Sequence, residues 1–75
     1  VEVDLILDKP GRKTVLIEIK STESVEKRHL KHLISLHNDI SNSKALCLSR
    51  DPQAKVIEGV DCLFWRKGLE SLFAK

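Results

Sequence analysis

Thr14-Val15-Leu16-Ile17-Glu18-Ile19-Lys20 is the stretch on which the fold turns. It is rich in β-branched residues and reads as a strand. With a period of two, Glu18 and Lys20 share one face, and Val15, Ile17 and Ile19 share the other. Upstream, Val1-Glu2-Val3-Asp4-Leu5-Ile6-Leu7-Asp8 alternates in the same way, with Val1, Val3, Leu5 and Leu7 facing opposite to Glu2, Asp4, Ile6 and Asp8. Lys9-Pro10-Gly11-Arg12-Lys13 lies between them, and Pro-Gly is a strong turn signal. The two runs form a predicted β-hairpin. Directly paired residues point to the same side of a sheet. The register that buries both apolar sets together therefore also sets Asp4 opposite Glu18, with Lys9 to Lys13 as the loop. A slip by one residue would separate the carboxylates and expose one apolar set.

Downstream, Ser21, Thr22 and Ser24 offer N-cap oxygens, and Glu23 and Glu26 suit the positive end of a helix. The spacing predicts a helix over 24–40. Val25, Leu30, Leu33, Ile34, Leu36 and Ile40 fall on one half of its surface, and Lys27, Arg28, Lys31, Asn38 and Asp39 on the other. Asn42 marks its end. Lys44 to Ser49 is a short apolar strand, 51–59 a loop, Val60 to Arg66 a fourth strand, and Leu69, Leu72 and Phe73 belong to a short terminal helix after Gly68. The predicted class is α/β: β-hairpin, helix, strand, strand, helix, with a mixed sheet. The helical crossover makes the second and third strands parallel.

Seventy-five residues make one domain near the lower limit for a self-sufficient core. An apolar fraction of 41% argues against disorder. Lys+Arg 13 against Asp+Glu 11 gives +2, which neither demands nor excludes nucleic acid. No apolar run is long enough to span a membrane. Phe64, Trp65 and Phe73 are too few for a base-stacking platform. Cys47 and Cys62 sit in apolar runs and read as buried, reduced thiols of a cytoplasmic protein. The chain starts within a strand-like run and has no Met, so it reads as a piece of a longer protein.

Asp4, Glu18 and Lys20 carry the chemistry. Two facing carboxylates are unfavourable unless a cation or a shared proton lies between them. Their oxygens suit Mg²⁺ or Mn²⁺, which bind phosphate oxygens beside one or two carboxylates. Lys20 is placed to orient a water or to stabilise charge on phosphorus. This combination describes metal-assisted phosphodiester hydrolysis.

Asp4 in EVDLIL and Glu18 and Lys20 in IEIKST, followed by helix and strand, resemble the PD-(D/E)XK nuclease superfamily. The wider run, through KALCLSRD and GVDCLFWRKGLESLF, is similar to the C-terminal nuclease-fold domain of prokaryotic AAA-type ATPases. The resemblance implies a restriction-endonuclease-like core in a single domain over 1–75. It implies Asp4, Glu18 and the Ile19 carbonyl as ligands of Mg²⁺ or Mn²⁺, Lys20 as the catalytic lysine, DNA as the substrate or, in a weakened relative, as a bound partner only, and an ATPase domain upstream. Glu2, on the face of Asp4, would be placed to reach a second metal. The chain departs from the superfamily pattern in lacking the helix and strand that usually precede the Asp strand, and Val3 stands where the motif has Pro. No GxxxxGK[ST] loop occurs in these residues.

Other readings stand beside these. The three charged residues also fit a solvated sheet face laced with weak ion pairs. Lys27, Arg28 and Lys31 fit either a DNA-phosphate stripe or an ordinary wet helix face. His29, His32 and His37 lack an i,i+4 pair and read as hydrogen-bonded, partly buried side chains rather than zinc ligands. The alternative function is a non-catalytic interaction module that closes or dimerises the parent ATPase, with the charged face as its contact surface; a homo-oligomer is compatible with either reading.

Overall fold

The computed structural model describes residues 4–8 and 10–73. It contains β1 (Leu5–Leu7), β2 (Thr14–Ile19), a 3₁₀ turn (Lys27–Leu30), α1 (Lys31–Asp39), β3 (Ser43–Ser49), β4 (Lys55–Ile57), β5 (Val60–Phe64) and α2 (Trp65–Phe73). The strands form one five-stranded sheet in the order β1-β2-β3-β5-β4. β1 pairs antiparallel with β2, β2 and β5 flank β3 in parallel, and β4 is antiparallel to β5. The expected mixed α/β sheet and the parallel pairing across the helical crossover are both present.

The hairpin register is the expected one, with Leu5 opposite Ile17 and Leu7 opposite Val15. Its burial is not. The sequence reading puts one face of β2 in the core, yet Leu16, Ile17 and Glu18 are all buried. β2 lies inside a sheet with a core on each side, and a parallel strand in that position has no wet face. Leu16 belongs to one core with Val25, Leu30, Leu33, Ala45, Cys47, Val60 and Cys62, joined from α1 by Ile34 and Leu36. Ile17 belongs to the other with Leu46 and Leu48, joined by Leu7, Val15, Leu63 and, from α2, Leu72. Leu5, Ile6 and Ile19, by contrast, are exposed. β1 is an edge strand, and the α2-side core stops short of Leu5 and Ile19. Val1, Glu2, Val3 and Lys9 lie outside the described residues.

Three element boundaries differ from the expected ones. The helix does not begin at Ser24. Arg50 N–H donates to the Thr22 carbonyl (3.0 Å) and Val25 N–H to Asp51 Oδ2 (2.9 Å), which tie residues 22–25 to the end of β3 before the 3₁₀ turn begins. The local caps are different too, since Glu26 N–H donates to His29 Nδ1 (2.9 Å). At the other end of α1, Asn42 adopts the left-handed conformation that its reading as a terminator implies (φ 58).

The supposed loop 51–59 contains β4 and a two-residue hairpin turn. Glu58 (φ 50) and Gly59 (φ 82) are both left-handed, as a type I′ connection requires. Glu at the first turn position, in place of the usual Asn or Asp, hid the hairpin. The last difference is at α2, which starts at Trp65 rather than after Gly68. Gly68 is buried within the helix, where an added Cβ would overlap Leu48 Cδ2. It permits close helix–sheet approach and does not break the helix. Trp65 packs its ring 5.8 Å from that of Phe64 and carries the Arg66 guanidinium 5.4 Å above it. No helix among the described residues is long and apolar enough to cross a membrane.

Gly68→Ala should therefore lower stability by about 1–3 kcal/mol, the usual range for overpacking, although Ala is the better helix former. Adding Leu48→Ala should relieve the overlap, so the double variant should lose less than the two single losses summed. Urea unfolding of the four proteins checks this; additive losses would remove the contact as the cause.

Candidate functional site

Continuing the β1–β2 ladder by one pair beyond Leu5 and Ile17 sets Asp4 opposite Glu18. Asp4 adds a side-chain rung there, since its Oδ2 accepts the Ile19 N–H at 2.7 Å. Lys20 N–H donates to the Leu48 carbonyl at 2.9 Å, so the backbone on either side of the Ile19 carbonyl is fixed from both neighbouring strands. The expected pair is thus brought together at the end of the hairpin. Asp4 faces solvent, whereas Glu18 is only 3% exposed.

Glu18 sits in a row that crosses the sheet, opposite Cys47, which is opposite Cys62, which is opposite Lys55. Its Oε2 lies 3.6 Å from Lys20 Nζ, outside good hydrogen-bonding distance, and it is the one buried side-chain oxygen or nitrogen among the described residues without a hydrogen-bond partner. Burial pushes the Glu18 carboxyl above its usual range. Lys20 opposes that rise, Asp4 adds to it, and His32 on the first turn of α1 opposes it. An orphaned, nearly buried carboxylate oxygen next to a second carboxylate is an acceptor that a hard cation would satisfy. Behind it, burial raises the Cys47 thiol to about 12 and raises Cys62 as well. Both cysteines are free and buried, as expected. Soft thiols held in the protonated form are poor ligands for a hard cation. No cluster of three or more His, Cys, Asp or Glu that could hold a metal occurs among the described residues. The oxygen pair suits an ion that retains several waters.

A second buried acid, Asp51, has no place in the sequence reading. Its Oδ2 takes the Val25 N–H and lies 2.8 Å from Lys55 Nζ, and its Oδ1 takes the Gln53 N–H at 2.9 Å. The Lys55 hydrogen bond first, then those two backbone N–H groups, lower its pKa to about 2. The Asp-Pro-x turn is a local signal for the Gln53 bond. The bonds to Val25 and Lys55 connect distant elements and have no local signal.

The cations of the basic stripe make ion pairs of their own rather than with Asp4 or Glu18. Lys27 Nζ lies 3.7 Å from Glu58 at the β4–β5 turn, and Arg28 Nε 3.2 Å from Glu26. Lys27, Arg28 and Lys31 are all exposed. His37 Nδ1 meets Ser43 Oγ at 2.8 Å, and His29 accepts from Glu26, so these two are the partly buried, bonded histidines expected. His32 is exposed, and it is the histidine that acts electrostatically on Glu18. Sequence reasoning missed it because its position at the edge of the helix faces does not reveal which strand lies beside it.

Among comparisons with known proteins, a family model described as "Domain of unknown function (DUF4143)" matches residues 1–67. No curated protein and no solved structure matches.

Two outcomes follow from the two acids. The folded-state pKa of Glu18 is raised above 4.5. Its ionisation therefore removes stability as pH rises from about 4.5 through the folded value. Glu18→Gln, which removes the buried charge, should therefore be more stable than the parent at pH 7 in urea unfolding. The gap should close below about pH 4.5, where Glu18 is protonated in both states; a less stable Gln variant at pH 7 would contradict the burial account. Asp51, depressed from 3.8 to about 2, has the opposite sign. Its contribution is complete above the unfolded value and is lost as pH falls toward about 2. Asp51→Asn should therefore melt lower at pH 7 and match the parent near pH 2.

Proposed function

The chain belongs to the DUF4143 family, and we propose that it carries a PD-(D/E)XK-type site for divalent-metal-dependent hydrolysis of DNA phosphodiesters. The observation that carries the proposal is the orphaned Glu18 Oε2, buried beside Lys20 and opposite Asp4. The order of hairpin, helix and parallel strand supports a restriction-endonuclease-like core. The resemblance of the sequence to the C-terminal domain of prokaryotic AAA-type ATPases supports a place in an ATPase-linked parent chain.

In this reading Asp4, Glu18 and the Ile19 carbonyl would hold Mg²⁺ or Mn²⁺, which when bound would supply Lewis acidity to the phosphodiester and lower the pKa of a water. Lys20, half-buried and reaching toward Glu18, orients that water and offsets charge gathering on the phosphoryl oxygens. The water oxygen would bond to phosphorus as the bond to the leaving sugar oxygen breaks, its proton passing to bulk solvent while a second, solvent water protonates the departing alkoxide. The Asp4–Ile19 bond holds the carbonyl-bearing residue in place throughout.

Exposed Leu5, Ile6 and Ile19 favour a second reading, in which the hairpin edge is a contact surface and the domain is a non-catalytic module of the parent ATPase. Plasmid nicking by the parent protein, titrated with Mg²⁺ or Mn²⁺, separates the two. Glu18→Ala and Lys20→Ala should each reduce cutting by about 100-fold or more, the scale for losing one preorganised electrostatic group. Metal-dependent cutting that survives in Glu18→Ala, or no cutting by the parent protein under any metal, would favour the contact module.

A further inference from the structure

A groove of about 540 Å³ lies along the outer side of α1, lined by Lys27, Arg28, Lys31, Ile34, Ser35 and Asn38. We infer that this groove is a holding site for a nucleic-acid backbone, separate from the carboxylates. The inference rests on the nucleic-acid part of the reading above and does not involve the metal.

Lys31, Ser35 and Asn38 follow one another at spacings of four and three, so they stand on one helix face above the half-buried Ile34. That combination gives a cation, a hydroxyl and an amide beside a strip of apolar surface. It suits phosphate oxygens alternating with the carbon face of a sugar. Lys27 and Arg28 add two cations from the preceding turn. Their ion pairs to Glu58 and Glu26 are exposed, and such pairs are weak enough to be exchanged for phosphate. Among the described residues no aromatic side chain lines the groove, so it would hold the backbone irrespective of sequence. It borders the β4–β5 turn through Lys27, with β3 lying between β5 and the strand that carries Glu18. Glu26 and Glu58 sit at its rim and hold its cations in the absence of a polyanion.

The test uses a fluorescently labelled DNA duplex with the full chain in EDTA, read by anisotropy across a salt series. With metal absent, a failure here is distinct from a failure of the carboxylate site, which is read by metal-dependent cutting. Lys31→Glu should weaken binding about tenfold at low salt and reduce the log–log salt slope by about one. Ser35→Glu adds a charge at an exposed helix position and should weaken binding several-fold. Glu58→Gln frees Lys27 and should tighten it. Circular dichroism confirms that each variant is folded. If Lys31→Glu and Ser35→Glu, both folded, stay within about twofold of the parent, the proposal is overturned. Binding of poly-glutamate as tightly as DNA at the same salt would also overturn it, in favour of an acidic protein partner.

Discussion

One carboxylate sets the terms for the rest of the molecule. Glu18 is buried in a strand with a packed core on each side, and its Oε2 has no hydrogen-bond donor among the described residues. Burying a polar oxygen without a partner is unfavourable, and burying a charge is more so. The nearest cation, Lys20 Nζ at 3.6 Å, is too distant for a good hydrogen bond. The fold therefore retains a group that it does not itself satisfy. Neighbouring positions in the same row hold thiols and a lysine that is already engaged by Asp51. Among the described residues it is the one buried side-chain oxygen or nitrogen left without a partner, the kind of exception that buried polar groups in folded proteins seldom show.

The surroundings hold this group rigidly. Asp4 is locked to Ile19, Lys20 to Leu48, and the connector after β2 to β3 through Thr22 and Val25. Asp51 links that connector to β4 through Lys55. Backbone tied down from several neighbouring elements in this way keeps its geometry. Gly68 serves the same end from the opposite side, because it lets α2 approach Leu48 closely and seal the second core.

The hairpin register, the parallel crossover, the left-handed Asn42 and the facing carboxylates were all legible from the sequence, because each follows from a short-range pattern or from two apolar sets that must match. What could not be read depends on contacts far apart in the chain. The α1 start is displaced by bonds to Arg50 and Asp51, roughly a third of the chain away from Thr22 and Val25. Burial of both faces of β2 requires α1 on one side and α2 on the other, which an alternating pattern in one hairpin does not disclose. Gly68 looked like a stop because its reason for being glycine lies in Leu48, twenty residues earlier. His32 and Asp51 were overlooked for the same cause: their partners come from elsewhere in the fold.

Anomalous scattering from crystals grown with Mn²⁺ tests the central claim most directly. The account predicts a single strong manganese peak bonded to Asp4 and Glu18, with the Glu18 Oε2 as a ligand. A fully ordered Asp4–Glu18 pair with no manganese between its carboxylates, at saturating Mn²⁺, would contradict it.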